Sequence, residues 1–160
     1  MTALKTILFF LLIPGLCLGA VPAWVIQTTQ VLFSFGFFRW LAVPLVLSGW
    51  GIVIWCCWNF TVQGRGTPNP LDPPRELVVV GFYRYIRNPI YIGATILLIG
   101  YVFWSPSLPI LLMPVICFVA ASLFVRFYEE PHLRKTFGAA YENYCRSVPR
   151  WIPRGRRSTG

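Results

Sequence analysis

Two short stretches of this chain concentrate the residue types that do chemistry. The first is Gly81-Phe82-Tyr83-Arg84-Tyr85-Ile86-Arg87-Asn88-Pro89-Ile90-Tyr91-Ile92-Gly93. It places two arginines, an asparagine and three tyrosines where a polar, proline-rich segment gives way to an apolar run. Proline suits the first turn of a helix, because its missing N–H would have no intrahelical partner there. The free N–H groups of such a helix start, beside Arg84 and Arg87, make an anion site. The second stretch, Arg126-Phe127-Tyr128-Glu129-Glu130-Pro131-His132-Leu133, puts two adjacent carboxylates directly after an apolar run. Three of the five acidic residues of the chain fall between Glu129 and Glu142. Ionisable groups near membrane depth are costly and point to function. Read singly, the first stretch is also an ordinary basic helix flank. The second is also a surface helix whose glutamates complement a helix dipole.

The elements that must position these residues are set by composition. The 160 residues are 56 % hydrophobic, 17 % aromatic and only 12 % charged, with a mean hydropathy of +0.63. Soluble domains carry about 25 % charged residues, so lipid must be part of this protein's solvent. The length suits one domain, residues 1–160. The net charge of +9 is no nucleic-acid footprint: its arginines and lysines gather in the central polar segment and near the C-terminus, beside apolar runs. Such clusters mark the cytoplasmic side and favour anionic headgroups. Five cysteines without C-x-x-C spacing and a single histidine, His132, assemble neither a metal site nor a disulfide framework.

Hydropathy predicts an all-α membrane bundle of about four transmembrane helices, 4–26, 40–58, 89–104 and 108–126, with 59–88 and 127–160 cytoplasmic. The first run also resembles a signal peptide, but is read as a retained helix. Ser48, Gly49 and Gly51 form a small-residue patch suited to close helix packing. Asn59 to Arg87 reads as loop, because Gly64, Gly66, Pro68, Pro70, Pro73 and Pro74 punctuate it, with Leu77 to Val80 extended up to Gly81. Ser105-Pro106-Ser107 allows only a helical hairpin between the last two runs. Beyond them, Leu133, Phe137, Tyr141, Tyr144 and Val148 recur at three- or four-residue spacing, the pattern of an amphipathic helix lying on protein or on the membrane surface.

Arg87-Asn88-Pro89-Ile90-Tyr91-Ile92-Gly93 resembles the R-[HN]-P-x-Y-x-G motif of the isoprenylcysteine carboxyl methyltransferase and phospholipid methyltransferase superfamily. Glu129-Glu130, Leu133, Phe137-Gly138, Tyr141, Tyr144, Val148, Arg150 and Pro153 resemble its second block, and Gly64-Arg65-Gly66-Thr67-Pro68 with Asp72-Pro73-Pro74 resemble a bacterial branch. The resemblance implies an S-adenosylmethionine-dependent enzyme of the bacterial inner membrane, with both motifs wrapping the cofactor on the cytoplasmic side. It implies cofactor contacts from Tyr83, Arg84, Tyr85, Arg87, Asn88, Pro89, Tyr91, Gly93, Glu129 and Glu130. Arg84 or Arg87 would hold the cofactor carboxylate, the glutamates its ribose or ammonium, and the tyrosines its adenine or sulfonium. Gly93 leaves room for a ligand or a helix. Asn88 stands where many relatives have histidine, and asparagine takes no proton.

The implied reaction is in-line displacement at the sulfonium methyl, with orientation and desolvation supplied by the protein. The expected acceptor is a membrane lipid or an isoprenyl-cysteine-like carboxylate, partnered by Arg126 or Arg87. An amine acceptor, as in a phospholipid N-methyltransferase, would instead use Glu129 or Glu130 as base. A sterol reductase-like enzyme would bind a nicotinamide cofactor, against which the short chain counts. A non-enzymatic membrane scaffold is the remaining alternative.

Overall fold

The computed structural model describes residues 14–62 and 76–153. The expectations for residues 4–13, for retention of the first span, for the Gly64–Pro68 and Asp72–Pro74 runs, and for residues 63–75 of the 59–88 segment lie outside the described residues. Within them the chain is helical, without strands. Helix α1 covers Gly15–Thr28 and α2 covers Gly36–Val62. Helices α3 (Pro89–Trp104) and α4 (Leu108–Phe124) follow, then a wide turn, Val125–Glu129, and two short helices, α5 (Glu130–Phe137) and α6 (Ala139–Ser147).

Two of these elements are long and apolar enough to cross a membrane: Gly36–Val62, with mean hydropathy 1.9, and the continuous rod Leu108–Phe137, with 2.6. Large apolar side chains such as Leu47, Ile54, Ile116 and Leu123 stand outward on them, as a lipid-facing surface requires. Helix α2 is longer than the predicted 40–58. It opens with a tight turn at Gly36, where φ is +56°, and continues through Asn59–Val62, residues expected in a loop. The polar groups there are satisfied inside the helix: Asn59 Nδ2 donates to Trp55 O at 3.0 Å and Thr61 Oγ1 to Cys57 O at 3.0 Å.

Prolines shape the wide turns. A proline removes one helical hydrogen bond, and its ring strikes the carbonyl four residues back. Ahead of Pro22 and Pro131 the helix widens, and N–H groups reach five residues back, Val21 to Leu16 O and Glu130 to Val125 O. Such wide turns recur at functional sites. The second one carries Glu129 and delivers Glu130.

Helices α2 and α3 pack antiparallel along a glycine seam. A Cβ on Gly49 would come within 2.6 Å of Leu97 Cβ and 2.7 Å of Gly93 O. One on Gly100 would meet Val46 Cγ2 at 2.7 Å. Small residues let backbones approach this closely. Of the predicted small patch, Gly49 lies in the seam, whereas Gly51 meets nothing within 4 Å and Ser48 is exposed, bonding Leu45 O. Leu18 of α1, Val53 and Cys57 of α2, and Ala94, Leu97 and Leu98 of α3 close the core.

The predicted amphipathic helix is two helices, because Gly138 turns the chain with φ +50°. Its apolar stripe faces protein: Tyr141, Tyr144 and Val148 are buried together, with Leu77, Leu133 and Phe137 against them. Tyr144 Oη donates to Tyr83 O at 2.7 Å, which ties this tail to the first chemical stretch. At the opposite end of the bundle, Thr29 Oγ1 bonds Ser107 Oγ at 2.9 Å and Leu32 N–H bonds Pro106 O at 2.9 Å.

Candidate functional site

The first stretch is held by a close backbone approach. At Gly81, φ is +56°, and a Cβ would lie 2.8 Å from Trp55 Nε1 and 3.3 Å from Asn59 Nδ2. Only glycine takes this conformation without cost, so the chain passes tight against the end of α2. The single turn Gly81–Arg84 then buries Tyr83 and leaves Arg84 and Tyr85 exposed. Pro89 starts α3 as predicted. Around this start the C-terminal tail folds back: Arg87 N–H donates to Pro149 O at 2.9 Å, and Asn88 Nδ2 to Arg150 O at 3.2 Å.

Glu130 lies at the centre of a charge cluster. Its side chain is 6 % exposed. Arg150 binds it in a two-pronged fork, Nε to Oε1 at 2.8 Å and Nη2 to Oε2 at 2.7 Å. Arg87 Nη1 reaches Oε1 at 3.0 Å from the other side and also donates to Cys145 Sγ. The planar guanidinium matches a carboxylate in this way, and such charge-assisted pairs are among the strong hydrogen bonds. The bond to Glu130 raises Arg150 further above its ordinary value. Three separate segments, around residues 87, 130 and 150, are thereby locked together.

Beside this cluster a cleft of about 190 Å³ opens between α1, α2, α3 and the wide turn. Leu18, Val53, Ile90 and Ala94 give it apolar walls, while Tyr83, Arg87, Asn88, Tyr91 and Glu129 supply its polar groups. Tyr91 Oη donates to Glu129 Oε2 at 2.9 Å, so the carboxylate is oriented before any ligand arrives. Glu129 is half-buried in the wall of the cleft, with Glu130 beside it in sequence. Burial keeps the Tyr83 phenol protonated, far above its ordinary range. Among the described residues, Tyr83 Oη, Arg87 Nε and Ser122 Oγ are buried without a well-formed hydrogen bond, Tyr83 Oη having only the Cys56 thiol beside it. A buried, unpaired polar group costs free energy unless something fills it, and of these three residues Tyr83 and Arg87 line this cleft.

The structure therefore brings together Tyr83, Arg87, Asn88, Tyr91 and Glu129 at the cleft, with Pro89 buried beneath them and Glu130 behind. Arg84 and Tyr85 point outward. Gly93 serves the α2–α3 seam, its would-be Cβ 2.8 Å from Ile52 Cγ2. Arg126 is exposed, its guanidinium carbon 5.7 Å from the Phe127 ring centroid. Sequence reasoning placed Arg150 in a motif but gave it no role, although it clamps Glu130. It also missed Trp151, whose ring packs 6.5 Å from Tyr91 and 5.0 Å from Phe118. Nothing in the local sequence pairs these residues, since the contacts join segments 20 to 62 positions apart.

No solved structure matches this chain. The family model described as phospholipid methyltransferase matches residues 37–140, more than half of the chain. The matched span runs from α2 to the start of α6 and contains both chemical stretches, stopping short of Arg150. The chain thus belongs to the phospholipid methyltransferase family, within the isoprenylcysteine and phospholipid methyltransferase superfamily, whose activity is methyl transfer to lipid-like substrates.

Proposed function

We propose that the protein transfers a methyl group from S-adenosylmethionine to a membrane-embedded lipid or isoprenyl-cysteine-like carboxylate. The observation that carries this reading is one cleft holding an oriented carboxylate, Glu129, together with a buried unpartnered donor, Arg87 Nε. A ligand that is cationic at one point and anionic at another answers both. The cavity, about 190 Å³, falls below the roughly 300–1,000 Å³ of sites that enclose a whole drug-sized ligand. A cavity of this size would take one end of the cofactor rather than the whole molecule. The site end carries Arg84, Arg87, Arg126, Arg134 and Arg150, and this is the cytoplasmic end in a four-span arrangement that follows the positive-inside bias.

When bound, the cofactor supplies a methyl group already activated on a sulfonium. Glu129 then sets negative charge against the cationic end, and Tyr91 fixes its orientation. Arg87, held in place by Glu130, directs its Nε toward a carboxylate. The apolar walls exclude water, which strengthens each of these contacts. A carboxylate acceptor arrives ionised and needs no base. The second reading, an amine acceptor, is favoured by one observation. Glu129 lines the cleft, bonded to the Tyr91 hydroxyl, where a group that takes a proton should be, whereas Glu130 is engaged by two arginines.

Calorimetry on the purified protein in detergent, with S-adenosylmethionine and S-adenosylhomocysteine, tests the cofactor. Saturable binding is expected, weakened about 10- to 100-fold by Glu129→Gln if a charged hydrogen bond of ~1.5–3 kcal/mol is lost. No binding by well-folded wild type, in detergent and again in nanodiscs, overturns the reading. With labelled methyl donor, a base-labile lipid product identifies a carboxylate acceptor and a base-stable one an amine.

A further inference from the structure

At the end of the bundle remote from the cleft lies a second cavity, of about 230 Å³. It is bounded by the end of α1, the start of α2 and the α3–α4 turn, with Phe33, Ser34, Phe35, Arg39, Trp104 and Ser105 on its walls. Arg39 is the one basic residue at this end among the described residues. Its guanidinium carbon lies 4.5 Å from the Trp104 ring centroid and 6.0 Å from that of Trp40, and the two indoles meet edge to face at 6.3 Å. Aromatic faces hold a cation electrostatically but leave its edge N–H donors unused.

Among the described residues, no carboxylate lies in the elements around Arg39. The five acidic residues of the chain are Asp72, Glu76, Glu129, Glu130 and Glu142. None falls within α1, α2, their connection, or the α3–α4 turn, which are the elements around Arg39. Arg39 is exposed, so an anion that pairs with its free N–H groups comes from outside the chain. The surroundings say which kind: Phe37 is 84 % and Trp40 58 % exposed, and Phe33 and Phe38 also stand outward. Such a belt of aromatic rings belongs at headgroup level. Ser34 Oγ accepts from Gly36 N–H at 3.2 Å and keeps its own O–H to donate.

We propose that this cavity binds the phosphate of an anionic phospholipid from the leaflet facing away from the catalytic cleft. Arg39 pairs with the phosphate, Ser34 donates to it, and the aromatic belt lies along the acyl chains. The inference rests on the transmembrane placement of the bundle and is independent of the methyl-transfer chemistry.

Native mass spectrometry of the full chain released from micelles reads lipid retention directly. The probes are a phosphatidylglycerol, a phosphatidylcholine of the same acyl chains, and glycerol phosphate as soluble competitor. Wild type is expected to retain phosphatidylglycerol over phosphatidylcholine, with Arg39→Gln lowering retention about tenfold. Trp104→Leu, which keeps the charge and removes the ring beneath it, should lower retention a few-fold. Far-UV circular dichroism and S-adenosylmethionine binding, both read at the other end of the molecule or over its whole, should be unchanged in these variants. Equal retention of the two lipids by wild type, unaltered retention in folded Arg39→Gln, or displacement of the lipid by millimolar glycerol phosphate would each overturn the proposal.

Discussion

Replacing Glu130 by glutamine keeps the shape of the side chain and removes only its charge. In the native protein this carboxylate, 6 % exposed, is contacted by Arg87 at 3.0 Å and by Arg150 at 2.7 Å. After substitution the two guanidinium groups face each other across a neutral amide, whose NH₂ must itself point at a donor. Breaking a buried ion pair from one side costs ~3–5 kcal/mol. The Arg150 side chain is 35 % exposed, so water screens its share and the lower bound applies, about 3 kcal/mol. At 1.4 kcal/mol per tenfold, this is roughly a hundredfold in the folding equilibrium. Adding Arg150→Gln restores the original balance of charge around Arg87. The double variant should therefore lose less than the sum of the two single ones, with a coupling of about 1–3 kcal/mol. Titration of detergent-solubilised protein with sodium dodecyl sulfate, followed by circular dichroism, measures each corner of the cycle. A cost below about 1 kcal/mol for Glu130→Gln, or simple additivity in the double variant, would refute the view of Glu130 as the clamp.

Two further expectations use the same preparations. Gly100→Leu forces a side chain to where Val46 Cγ2 lies 2.7 Å from the would-be Cβ, and overpacking of this kind should cost ~1–3 kcal/mol. Gly51→Ala, with nothing within 4 Å, should instead stabilise α2 by up to ~1 kcal/mol. Binding of the cationic cofactor should weaken as pH falls, because protonating Glu129 removes the anion it faces. A free glutamate titrates at about 4.3, so the loss grows toward the acid end of the range. Calorimetry between pH 8 and pH 5 checks this, and the same slope in Glu129→Gln would refute it.

Much of the architecture was legible along the chain because its signals are local. A long apolar run must become a helix in lipid, since its backbone groups have no other partner. Pro89 announces a helix start, and the pair Glu129-Glu130 announces itself by appearing in a chain with three other acidic residues. Where local signals compete, boundaries moved: Asn59 and Thr61 read as loop residues, yet they close bonds onto their own helix. Gly138, inside an unbroken apolar periodicity, splits one predicted helix into two by its positive φ.

The division of labour between the two glutamates illustrates the other limit. As neighbours in sequence they are chemically identical, and nothing local separates them. The wide turn before Pro131 rotates one into a cleft beside Tyr91 and the other into the grip of Arg87 and Arg150. Arg84 and Arg87 divide likewise, one outward and one inward, because a single tight turn lies between Gly81 and Tyr85. Residue types and spacing by themselves determined that this is a helical membrane protein with two chemical stretches and the family to which they belong. Which of those side chains share one cleft was decided by tertiary structure alone, because charge pairing and burial act between segments that the sequence keeps far apart.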